Sequence, residues 1–138
     1  MRRLWMLLVS VCCLGVVQFA HANDPCRSGT GFQLSSATDA PWTMQIQFNP
    51  KDVSLNTPFD LMVAVCSQSE HLPSHLTIDA TMPAHKHGMN YEPKTEYAEN
   101  RQYRSKNLLF HMPGIWRIEV TAFHNSKPYR FTLDVDIQ

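Results

Sequence analysis

Apolar and polar residues alternate with a period of two through most of the chain. Trp42, Met44, Ile46 and Phe48 alternate with Thr43, Gln45 and Gln47, and the cluster Asn49-Pro50-Lys51-Asp52 then breaks the run as a turn. Phe59, Leu61, Val63 and Val65 form a second run. Leu76, Ile78, Ala80 and Met82 form a third, ended by Pro83, which has no N–H to give to a ladder. Leu108, Phe110 and Met112 mark a short strand over residues 107–112. Trp116, Ile118, Val120 and Ala122 follow, and Asn125-Ser126-Lys127-Pro128 connects them, hairpin-fashion, to Tyr129, Phe131, Leu133, Val135 and Ile137. Every second side chain of a strand lies on one face, so each run offers one face to a core and one to water. No stretch has the period of a helix. The polar residues 90–105, with Glu92, Lys94, Glu96, Glu99 and Arg101, read as a long loop or irregular edge. The pattern predicts about seven short strands in an all-β, antiparallel sandwich.

The first residues follow a different rule. Arg2 and Arg3 precede an almost unbroken apolar run over residues 4–19, and Ala20-His21-Ala22 is a small-x-small cleavage site. This is the pattern of a secretory signal peptide over residues 1–22. Neither Cys12 nor Cys13 has the small residue before it that a lipoprotein site needs. The expected product is a single domain over residues 23–138, with 23–40 as a loosely ordered arm. It would be exported, periplasmic in a bacterium, and not membrane-spanning after cleavage. Two of the twelve basic residues and none of the twelve acidic ones fall in the leader, so the mature chain would carry a formal charge near −2. That balance argues against nucleic acid or an anionic membrane surface as partner.

Export changes the reading of the cysteines. Cys26 and Cys66 remain after cleavage, and an even pair in an oxidising compartment suggests a disulfide. Closing a loop of roughly forty residues would stabilise the fold by about 4 kcal/mol in the chain-entropy model. The alternative, metal-binding thiols, has no neighbouring residues at ligand spacing.

The densest group of chemically active side chains is Met82-Pro83-Ala84-His85-Lys86-His87-Gly88-Met89. On an extended segment His85 and His87 project to one side, and Met89 shares their parity. Imidazole suits copper, zinc, iron or nickel, and thioether sulfur favours copper, especially Cu(I). The candidate ligands are therefore His85, His87, Met89 and Met82, with His111 from the separate His111-Met112 pair, and the expected metal is copper, with zinc as the alternative. Parity with Leu108 and Phe110 places Met112 in the core and His111 outward. Against this stands a plainer reading, in which loop histidines are solvated and methionines fill the core. His71, His75 and His124 are scattered and read as surface or hydrogen-bonded residues.

The run Met82-Pro83-x-His85-x-His87-Gly88-Met89, followed by Phe110-x-Met112-x-Gly114-x-Trp116-x-Ile118 and an alternating C-terminal hairpin, resembles the YtkA-like / FixH-like exported bacterial domains. The resemblance covers about residues 61–137. It implies an immunoglobulin-like sandwich outside the cytoplasmic membrane and, from some relatives, a role in copper handling or oxidase assembly. A copper chaperone or accessory factor for a membrane complex, or for another exported protein, is the function it implies. The apolar segment departs from the membrane-bound FixH pattern in looking cleavable.

Two other classes remain open. One is a metal-independent interaction or structural module. The other is a cupin-like metalloenzyme, since His85-x-His87-x4-Glu92 matches half of the cupin metal motif, although Asp79 and Glu99 stand where its glycines belong. No nucleophile elbow, phosphate loop or catalytic Ser/His/Asp spacing is present, so the expectation is a binding protein and not an enzyme.

Overall fold

The structure, a computed structural model, describes Cys26 and residues 31–36, 39–66 and 71–138. The expected leader lies outside the described residues. All elements among the described residues are strands: β1 (Phe32–Gln33), β2 (Ser35–Ser36), β3 (Thr43–Asn49), β4 (Phe59–Cys66), β5 (His75–Met82), β6 (His87–Gly88), β7 (Thr95–Tyr97), β8 (Gln102–Leu108), β9 (Gly114–His124) and β10 (Lys127–Ile137). They build two five-stranded sheets, ordered β1-β3-β4-β8-β7 and β2-β10-β9-β5-β6, with every recorded pairing antiparallel. The chain is thus a β-sandwich, as its alternation predicts. No helix among the described residues is long and apolar enough to cross a membrane.

Burial follows the alternation closely. Met44, Ile46, Leu61, Val63, Ile78, Ala80, Trp116, Ile118, Val120 and Phe131 fill the space between the sheets. Each large apolar side chain so placed contributes on the order of 1.5–3 kcal/mol over exposure. The β9–β10 hairpin pairs without a slip from Lys127↔His124 to Ile137↔Gly114, which makes it the longest ladder of the fold.

The structure differs from the pattern in two places. The strand expected over 107–112 lies earlier, at Gln102–Leu108, and residues 109–113 cross from one sheet to the other. The cause is a bulge. β4 pairs Phe59 with Leu108 but Leu61 with Ser105, so β8 has one residue more than its partner. Asn107, at φ 58°, absorbs it, and its N–H bonds to the Asp60 carboxylate at 3.2 Å. A bulge exchanges the parity of the strand on its two sides. Tyr103 and Ser105 are buried before it, Leu108 and Phe110 after it. Because a buried position is held by Ser105, whose hydroxyl reaches the Lys94 carbonyl at 3.4 Å, the run has too little apolar signal to read as a strand.

The second difference is in the stretch expected as a loose arm. Residues 31–36 are paired: β1 adds to β3 in one sheet and β2 to β10 in the other. The switch occurs at Leu34, buried at 3% exposure, whose N–H bonds to the Met44 carbonyl at 2.9 Å. Upstream, Cys26 is joined to Cys66 at the end of β4, with S–S 1.98 Å and Cα–Cα 5.5 Å. The expected disulfide is therefore present, and it ties the chain before β1 to the end of the first sheet.

The sandwich has two distinct ends. At the end formed by the β5–β6 hairpin (the hairpin end), β5 finishes, β9 starts, and residues 109–113 cross between sheets. At the disulfide end, β4 finishes at Cys66, and β5 starts at His75 beside the end of β9, with His75 opposite Phe123.

Candidate metal site

β5 runs into a tight hairpin. Thr81 pairs with Gly88 and Met82 with His87, and Pro83-Ala84-His85-Lys86 form the turn between them. Pro83 can start this turn because its missing N–H has no ladder to serve. The His85 N–H bonds to the Met82 carbonyl at 3.1 Å, and Lys86 takes a left-handed φ of 53°. His85 is therefore a turn residue and His87 a strand residue, not two steps of one extended run. The turn still brings their imidazoles together, with ring centres 6.5 Å apart and planes inclined by 35°, both exposed. A metal about 2.0–2.1 Å from each nitrogen places two ring centres roughly 5 Å apart at a tetrahedral angle and about 6.4 Å apart only when the nitrogens are on opposite sides, so the exposed rings must swing together by more than about 1 Å to share an ion with further ligands.

The methionines separate. Met82 is 1% exposed and belongs to the core, and its Cε lies 3.0 Å from where a Cβ on Gly114 would stand. Its sulfur is packed beneath the turn and does not join the histidines at the surface, because Met82 continues the inward parity of Ile78 and Ala80. Met89 extends the ladder by one bond, N–H to the Ala80 carbonyl at 3.1 Å, and is half-buried against the core. Of the two, Met89 is the donor with access to solvent.

His111 arrives from the crossing segment. Residues 109–113 bring it to the same end of the sandwich, since Thr81 pairs with Arg117 and the Met82 side chain reaches Gly114. His111 is half-buried, with its ring edge-on to Trp116 at 5.3 Å. The Trp116 indole N–H also bonds to the Met112 carbonyl at 2.9 Å. One buried indole thus holds the crossing segment by its backbone and His111 by its ring. Parity marks Trp116 as core; its contact with His111 depends on the Pro113-Gly114 turn folding the strand back beneath the segment. Met112 is half-buried against the core, less enclosed than Leu108 and Phe110.

Among the described residues, no group of three His, Cys, Asp or Glu side chains stands close enough to hold a metal. The cupin-like set of His85, His87 and Glu92 is accordingly not assembled. Glu92 is exposed and lines a recess of about 540 Å³ with Asp79, Glu119, Met89 and Tyr91, and the two open-edged sheets do not close a barrel around it. On the outer face of the same sheet, Arg117 grips Asp134 through two hydrogen bonds of 2.7 and 2.8 Å. That pairing holds the Asp134 carboxyl below the usual carboxylate range.

No family model matches the chain, and neither a curated protein nor a solved structure matches it.

Proposed function

We propose that this chain is an exported metal-binding module that takes copper first and zinc second, and that it serves as a chaperone or accessory factor for a membrane complex. The observation that carries the reading is the His85–His87 pair, 6.5 Å between ring centres on an exposed turn, with His111 at the same end of the sandwich. Two imidazoles with Met89 as a soft third donor suit Cu(I); His111 adds the nitrogen that Cu(II) prefers. The disulfide accords with an oxidising compartment, and the likeness of the His-Met run to YtkA-like / FixH-like domains accords with copper handling outside the cytoplasm.

Titration of the oxidised protein with Cu(I) against a competing chelator tests this. Sub-micromolar binding that falls at least tenfold in His85→Ala/His87→Ala supports the reading. Weaker binding, or an affinity unchanged in that variant, refutes it. A second reading, a metal-independent interaction module, draws on Ile115, which is 56% exposed beside the same end. It requires capture of one partner that survives both chelation and the double histidine variant.

A further inference from the structure

The opposite end of the sandwich repeats the arrangement around Trp116 with different residues. Trp42, immediately before β3, is buried at 3% exposure. Its indole N–H bonds to the His71 carbonyl at 2.9 Å, and its ring stands edge-on to the His124 ring at 5.6 Å. One buried indole therefore holds one histidine by its backbone and another by its ring. The two imidazoles so placed have ring centres 6.3 Å apart, at 76°. That separation fits two ligands about 2.0–2.1 Å from one ion when their nitrogens approach it from opposite sides, where the ring centres stand roughly 6.4 Å apart, and rotation of the exposed His71 shortens it for a more bent arrangement.

The two histidines come from different elements. His124 is the last residue of β9, and its inward parity with Ala122 carries it to the mouth of the core, where Tyr129 also packs on Trp42 at 5.6 Å. His71 stands in the chain between β4 and β5, beyond the disulfide-bonded Cys66. His75 takes no part: it lies flat on Phe123, with ring centres 4.2 Å apart, and Ser74 meets its Nδ1 at 3.4 Å. His71 is exposed and His124 half-buried, so a metal could enter from solvent.

We propose that His71 and His124 form a second metal site, for a borderline divalent ion bound by imidazole nitrogen, with Cu(II) favoured over Zn(II) by the usual affinity order. Imidazole nitrogen suits the oxidised, nitrogen-preferring form of copper. β9 separates it from the hairpin end by roughly 33 Å, so the two sites bind independently.

The two indole N–H groups report the two ends separately. In a 1H–15N spectrum of the oxidised protein, with the signals assigned through Trp42→Phe, stepwise Cu(II) is expected to broaden the Trp42 indole signal within two equivalents. His71→Gln/His124→Gln should protect that signal and reduce bound Cu(II) by one equivalent, while Trp116 continues to respond. If His124→Gln perturbs the fold, the exposed His71→Gln alone provides the same comparison. A Trp42 signal indifferent to Cu(II), or broadened equally in the variants, overturns the inference. Broadening at Trp116 alone leaves the hairpin-end reading standing and removes this one; broadening at Trp42 alone does the reverse.

Discussion

Replacing Gly114 with alanine tests how the hairpin end is built. Gly114 has φ +123°, a conformation that an L side chain rarely adopts, and a Cβ there would meet Met82 Cε at 3.0 Å. Two penalties follow. The backbone penalty is on the order of 1–3 kcal/mol for a non-glycine residue held in such a region. The steric one is smaller, below about 1 kcal/mol, because the obstructing atom is the free end of a methionine, the most adaptable core side chain. Urea unfolding should therefore show Gly114→Ala destabilised by roughly 2–3 kcal/mol with an unchanged slope. Met82→Ala alone should cost about 2–5 kcal/mol through the cavity it leaves. The double variant separates the penalties: removing Met82 relieves the clash but not the backbone, so the two changes should fall short of additivity by no more than about 1 kcal/mol. A Gly114→Ala protein within about 0.5 kcal/mol of the parent would refute the argument that glycine is required here.

Two further expectations follow from the fold. Reduction, or Cys26→Ser/Cys66→Ser, opens a link between residues 40 apart in sequence, and the unfolding free energy should drop by about 4 kcal/mol; a change under about 1 kcal/mol in the urea midpoint analysis would argue against it. The Asp134 carboxyl is held below its ordinary value chiefly by its hydrogen bonds to Arg117. A group depressed in this way lends stability above its unfolded-state value and loses it as the pH falls through the folded one. The acid limb of a stability–pH curve should therefore flatten in Asp134→Asn, and an identical acid limb would remove the pair from the account.

Much of this protein follows from a period of two. Where a side chain in every second position is large and apolar, burial can be achieved on one face only, and the strands at Thr43–Asn49, Phe59–Cys66, His75–Met82, Gly114–His124 and Lys127–Ile137 all lie where that pattern puts them. The disulfide was legible for a similar reason, since the two cysteines that the expected leader leaves behind have one partner each. Other features belong to the tertiary structure alone. The bulge at Asn107 exchanges inner and outer faces within β8, and no local pattern announces a parity change that is imposed by the partner strand. Residues 31–36 are paired because two sheet edges stand ready to receive them, not because their own sequence is strand-like. The His-Met run shows the division within one motif. Its spacing brought His85 and His87 together, but Met82 went to the core and Met89 to the core's margin, because the register of a hairpin decides which atoms face water. The histidine pair at the other end had no sequence signal at all. His71 and His124 are 53 positions apart in the chain, and it is the packing of a single buried indole between two sheets that makes them neighbours.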